Sequence, residues 1–191
     1  NSNHLFPIAS NLLEQDFTAD APNKKWVTDF TCIDTREGHL FVAGILDTYS
    51  RKIAGWSMSD QHDAEFVQAA LSMALLQRQP GAGLVHHSDR GSEYASISYQ
   101  MMLSEHAIQG SMSKKGDCYD NAMIESFWAT LKEECVEDIH FSTRKEAKAA
   151  IFAYIEVYYN RIRRHSSLSY VSPVEYEKQG EQKKEQKERE A

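Results

Sequence analysis

From Trp26 to Met58 the sequence sets three strand-like stretches end to end with almost nothing between them. Trp26 to Asp34 is dominated by β-branched and aromatic residues, with Val27, Asp29, Thr31 and Ile33 on one face. Glu37-Gly38 marks a turn, and His39 to Asp47 reads as a second, more buried strand. Thr48 to Arg51 turns again, and Lys52 to Met58 makes a third strand. Connections this short force antiparallel pairing, since a parallel partner needs a crossover of about a dozen residues or more. Every later element has to be added to that meander.

After it the periodicity changes. Asp63 is placed to cap a helix whose apolar positions, Phe66, Val67, Ala70, Leu71, Ala74 and Leu75, follow a 3,4 spacing, and Pro80-Gly81 ends it. Gly83 to Ser88 reads as a strand, Ile97 to Glu105 as a helix and Ile108 to Met112 as a fifth strand. A polar loop, Ser113 to Tyr119, leads to a helix over Tyr119 to Lys132, with Asp120 as its expected N-cap and Ile124, Phe127 and Leu131 on one stripe. A Thr143-x-x-Glu146 capping box opens a long helix with Ala147, Ile151, Tyr154, Ile155, Tyr158 and Ile162 as its expected apolar face. Residues 1–25 read as an arm or linker with an apolar patch at Leu12 and Leu13, and 177–191 as a charged tail, either a solvated helix end or disordered. The order in between, 26–176, is similar to a ribonuclease H-like α/β domain: a mixed five-stranded sheet flanked by helices, with a C-terminal helical extension.

Composition narrows the function classes. A net charge of −7, from 21 basic and 28 acidic residues, argues against a protein that coats DNA broadly. It leaves room for a local basic track and for acidic clusters neutralised by divalent metal. No apolar run approaches the roughly 18 residues of a membrane span, and the polar N-terminus does not read as a signal peptide. Three cysteines, Cys32, Cys118 and Cys135, lack paired spacing, so a reduced intracellular protein without structural zinc is expected.

The chemistry-bearing residues are carboxylates. Asp29 sits mid-strand among apolar neighbours, where an unpaired charge is costly, so a partner such as a cation is expected. Asp89 ends a strand before Arg90-Gly91, where a sharp turn projects it over the sheet edge, the usual place for ligands in open α/β sheets. On the helix after the polar loop, steps of 100° from Ile124 put Asn121, Lys132 and Glu125 at about 60°, 80° and 100°. Amide, ammonium and carboxylate thus share the margin of the buried face. Three hard oxygen donors from three elements suit Mg²⁺. A local Arg or Lys paired with Asp29, an Asp89 that only starts a turn, and a surface Glu125 would leave the same pattern.

Three blocks carry a more specific signal: Trp26-Val-Thr-Asp29-Phe-Thr, His87-Ser-Asp89-Arg-Gly-Ser-Glu-Tyr94 and Asp120-Asn-Ala-Met-Ile-Glu125-Ser-Phe. They resemble the signature blocks of insertion-sequence transposases, the DDE superfamily with a retroviral integrase-like catalytic core. The 35 residues between Asp89 and Glu125 match the spacing that names the D,D(35)E motif, and Lys132 matches its basic residue. Tyr159-Asn-Arg-Ile-Arg-Arg-His165-Ser-Ser-Leu and Ser172-Pro173 resemble the family's C-terminal block. Two departures stand out, Cys32 where an aromatic is common and Trp128 where a second Phe is usual, and neither is expected to touch a proposed ligand.

The resemblance implies a bacterial enzyme, cytoplasmic and nucleoid-associated when active. Asp29, Asp89 and Glu125 would be both catalytic and metal-binding, with Mg²⁺ as cofactor and Mn²⁺ able to substitute. The implied reaction is cleavage at DNA 3′ ends and strand transfer. Lys132, Lys114, Lys115, Arg161, Arg163 and Arg164 are candidate DNA contacts, with His87 and Asn121 in support. Expected partners are element-end and target DNA and further copies of the chain, with recognition of element ends in a separate or missing N-terminal domain. No membrane partner is expected. The alternatives are a hydrolytic nuclease of the same fold and a non-catalytic DNA-binding or assembly module.

Overall fold

The computed structural model describes residues 5–114 and 118–190. Its meander consists of β1 (Lys25–Thr35), β2 (Gly38–Asp47) and β3 (Ile53–Ser59), paired antiparallel in the order the short turns require. The chain then crosses over through α1 (Ala64–Arg78) to β4 (Val85–Ser88), and through α2 (Ser92–Ala95) and α3 (Ile97–Glu105) to β5 (Gln109–Met112). Both later strands join parallel, giving the order β3-β2-β1-β4-β5. The expected mixed five-stranded α/β sheet is the one found, with β1 at its centre.

Helices cover both faces because β1 and β2 are apolar on both. Trp26, Ala43 and Ile45 pack with α1 and α3 on one side. Val27, Ile33, Val42 and Leu46 pack on the other side with α4 (Ala122–Leu131) and α5 (Arg144–Ala153). Asp63 accepts from the Phe66 amide at 2.9 Å and Thr143 and Glu146 form the capping box, so these two helix starts follow the sequence signals.

Two local expectations are corrected. Asp120 is no N-cap: it lies in a 3₁₀ turn, Cys118–Asn121, and its carboxylate accepts from the Lys114 amide and from Asn11 Nδ2 instead. In the long helix Tyr158 and Ile162 are 41% and 59% exposed, while Tyr159 is buried. A wide π turn over Tyr154–Tyr159 follows α5 and rotates the buried face, which a constant 100° step does not register.

The ends are tied down. Leu13 is buried in the core on the α4 side, with Phe17 packed against it. The charged C-terminal stretch is the body of α6 (Pro173–Glu190), and its Glu177 is buried, accepting from Arg78, Lys52 and Ser50. Arg78 also reaches Asp47 at 3.1 Å, so one ionic cluster binds α6 to α1 and β2. Among the described residues no helix is long and apolar enough to cross a membrane.

Candidate active site

The centre of the sheet brings the three predicted carboxylates to one edge. Asp29 lies half-buried on β1, opposite Gly44 of β2. A Cβ at Gly44 would stand 3.0 Å from the Trp128 ring, a tight contact. The indole of α4 thus packs against β2 beside Asp29. Asp89 follows β4, and its Oδ1 accepts from the Gly91 amide at 2.8 Å in a tight turn that α2 continues. A side chain at Gly91 would crowd that same oxygen, at 3.0 Å. Glu125 is exposed on the first turn of α4.

Asp89 and Glu125 both lie within electrostatic reach of Asp29. The Asp29 carboxyl is pushed up to about 7, chiefly by burial and further by the negative charges of Asp89 and Glu125, against the Phe30 amide and the Trp128 indole, which favour the anion. The indole N–H has no partner at full hydrogen-bond geometry among the described residues, so Asp29 is the acceptor it faces. Asp89 is raised too, by desolvation and then by Glu93, with the Gly91 amide opposing. No Lys or Arg pairs with Asp29 among the described residues, which removes the local-salt-bridge reading. The carboxylate oxygens nevertheless stand apart. Among the described residues the group of His, Cys, Asp or Glu with donor atoms all within 4.8 Å is Cys32, Asp34 and His39.

The supporting residues act through backbone. Buried Asn121 donates from Nδ2 to the Thr28 carbonyl at 3.2 Å, which pins the start of α4 to β1 one residue from Asp29. His87 is held by Ser111 at 2.8 Å and Ser113 at 3.1 Å, and burial lowers it to about 4, so it is neutral at physiological pH. It braces β4 against β5 below the Asp89 turn, and Arg90 Nε ties that turn to the Ser113 carbonyl at 2.7 Å.

The basic candidates scatter. Lys132 is exposed where α4 passes into a π turn, Lys132–Val136, and its charge bears on Cys32 of β1. Lys114 is exposed and only its backbone is engaged, by Asp120. Arg161 bonds the Glu156 carbonyl, Arg163 is paired with Glu134, and Arg164 is exposed. Lys115 lies outside the described residues.

Three neighbours of the site escaped the sequence reading. Trp128 does reach a proposed ligand, contrary to expectation, because Gly44 lets its ring lie against β1 and β2. Glu93 presents a buried, unpartnered oxygen next to Gly91 and Asp89. Buried Tyr94 carries a hydroxyl without a partner among the described residues, and burial together with the Asp29 charge raises its pKa. The glycines at 44 and 91 were the available signals.

Comparison with known proteins agrees with this fold. An integrase core domain model matches residues 19–118, and a second integrase core domain model matches 125–180. An uncharacterized 31 kDa protein of insertion element IS600 from Shigella sonnei is 48% identical over 176 residues, covering 92% of this chain and 65% of that protein. Transposase InsF for insertion sequence IS3fB of Escherichia coli K12 is 47% identical over 176 residues, covering 92% and 61%. The chain thus spans roughly three fifths of these relatives' length. Among solved structures, the simian T-cell lymphotropic virus intasome in complex with PP2A regulatory subunit B56 gamma superposes with a TM-score of 0.69 at 14% identity, covering 93% of this chain and 60% of that one. The HTLV-2 integrase catalytic core domain in complex with magnesium gives 0.63 at 15%, covering 82% and 97%.

Proposed function

The chain belongs to the integrase core domain family, and from that premise we propose that it is the catalytic region of an insertion-sequence transposase, cutting DNA at 3′ ends and joining them to target DNA. The observation that carries the reading is that Asp89, from the β4 turn, and Glu125, from α4, act on the carboxyl of Asp29 on β1, with no Lys or Arg paired to Asp29 among the described residues.

The donor set fits divalent metal: three carboxylates, one of them destabilised as an anion by the other two, offer hard oxygens and an uncompensated charge. Asp29, Asp89 and Glu125 would hold Mg²⁺, with Mn²⁺ substituting, as the HTLV-2 core holds magnesium. When bound, a pair of such ions activates the attacking oxygen and stabilises the leaving oxygen of an in-line displacement. The protein's part is positional. Asn121 would fix the start of α4, which carries Glu125, to β1 one residue from Asp29, Trp128 would face Asp29, and the Gly91 amide would hold Asp89. Lys132 lies on the same margin of α4 to meet a backbone phosphate, which positions DNA without reading sequence. Element ends and target are the DNA substrates, further copies of the chain complete the active assembly, and a separate N-terminal region reads the ends.

The test is strand transfer. With a duplex carrying a pre-cleaved 3′-hydroxyl, a plasmid target and Mg²⁺, the protein should give joined products. Asp29→Asn, Asp89→Asn and Glu125→Gln should each lose joining and nicking by at least about a hundredfold while keeping the fold, since removal of one electrostatic contributor alone costs about 10²–10³. Cutting without joining would make it a nuclease. Near-normal turnover in any of the three variants would remove that residue from the site.

A further inference from the structure

Ser126, one position past Glu125, faces a different cavity. It has a volume of about 290 Å³ and lies between α4 and the block that follows the long helix. Its polar lining includes Ser126 and Thr130 of α4, Arg51 from the β2–β3 turn, and Arg163, His165 and Ser166. No carboxylate lines it.

Arg163 and His165 are both oriented. Arg163 is clamped by Glu134, with Nε 2.9 Å from both carboxylate oxygens and Nη2 2.8 Å from Oε1. Its Nη1 is left to reach His165 Nδ1 at 3.4 Å. A guanidinium only donates, so Nδ1 is the acceptor and the imidazole proton sits on Nε2. His165 is 7% exposed, its ring set edge-on to Tyr159 at 4.9 Å, and its Nε2 is buried with no partner among the described residues. A buried N–H left unmatched costs about 1–3 kcal/mol, so this donor calls for an acceptor. Arg51 has a left-handed backbone at φ 59°, and its side chain has no hydrogen-bond or ion-pair partner among the described residues. Its charge and that of Arg163 both act on His165. The unpaired Arg51 guanidinium, an imidazole N–H and hydroxyls, beside an Arg163 already paired with Glu134 outside the lining, make an anion site.

We propose that this cavity binds a phosphate, and that the phosphate is a backbone phosphodiester of the DNA strand held at the three carboxylates. The owner of the phosphate rests on the DNA-processing reading above; the anion preference does not. Ser126 and Glu125 occupy adjacent stripes of a helix about 10–12 Å across with its side chains. A strand engaged at one stripe therefore brings a phosphate of a nearby nucleotide to the other.

The test has two arms. In the first, inorganic phosphate is titrated into the protein and the His165 Nε2–H followed by NMR. A saturable shift is expected, weakened at least about tenfold in Arg51→Gln; no shift in the unmutated protein would overturn the site. In the second, binding of a nicked duplex is measured across a salt series. Arg51→Gln should lower the slope of log K against log salt by about one unit and Arg51→Lys should restore it. An unchanged slope beside an intact phosphate shift would make this a free-anion site and overturn the assignment to DNA. A single neutral methylphosphonate walked along the strand repeats the second arm without any mutation, and one sensitive position away from the reacting bond is expected. Asp29→Asn separates the two readings: it should lose strand transfer and keep the slope. A slope that falls in Arg51→Gln while the unmutated protein joins no DNA would sink the catalytic reading and leave the cavity standing.

Discussion

Asp29 carries the largest electrostatic burden in the site, and its environment makes a stability prediction. Its carboxyl rises from 3.8 to about 7 on folding, through burial and the charges of Asp89 and Glu125. A raised carboxyl favours the fold while it is protonated and loses that contribution as pH climbs through the folded value. Without metal, Asp29→Asn should therefore raise the melting temperature, with a gain that grows between about pH 4 and 7 and is flat above. Thermal melts in chelator across that range check it, and a gain independent of pH would mean that Asp29 is not the strained group. The placement of Asp89 and Glu125 within reach of Asp29 was legible in the sequence because their spacing is a motif. Trp128 and Arg51 were not, since one touches Asp29 only where Gly44 makes room and the other meets His165 across more than a hundred residues.

The elements show where periodicity suffices and where it fails. The strand meander, α1 and the capping box of α5 obey local rules, so their residues announce them. The π turns after α4 and α5 obey none that a fixed helical step can express, and they decide which aromatic of the Tyr158–Tyr159 pair is buried. Just past the second π turn, Asn160 is built as a substitute strand. Its Oδ1 accepts from the Ile53 amide at 2.9 Å and its Nδ2 donates to the Ile53 carbonyl at 3.1 Å, closing the edge of β3. Asn160→Ala should cost about 2–6 kcal/mol in urea unfolding, because two buried backbone groups lose their partner at about 1–3 kcal/mol each. A loss under about 0.5 kcal/mol would show that water replaces the amide there.

At the scale of the molecule, a net charge of −7 would leave the proposed DNA binding to local features: the margin of α4 with Lys132, and the cavity with Arg51 and Arg163. Such contacts hold phosphates and do not reach base edges. This chain alone should bind element-end and scrambled duplexes with similar, strongly salt-dependent affinity. A competition titration at fixed salt decides it, and a preference of about a hundredfold or more would reveal a reading element within these residues. The way the chain enters the domain has a mechanical side. Leu13 is sunk in the core, the Leu12 amide is fastened to Ser111, and Asn11 is fastened to the Asp120 carboxylate that also holds the Lys114 amide. A tug at residue 11 is therefore shared between β5, through Ser111, and the 3₁₀ turn that leads into α4 and Glu125, so that the arm has a lever on that helix.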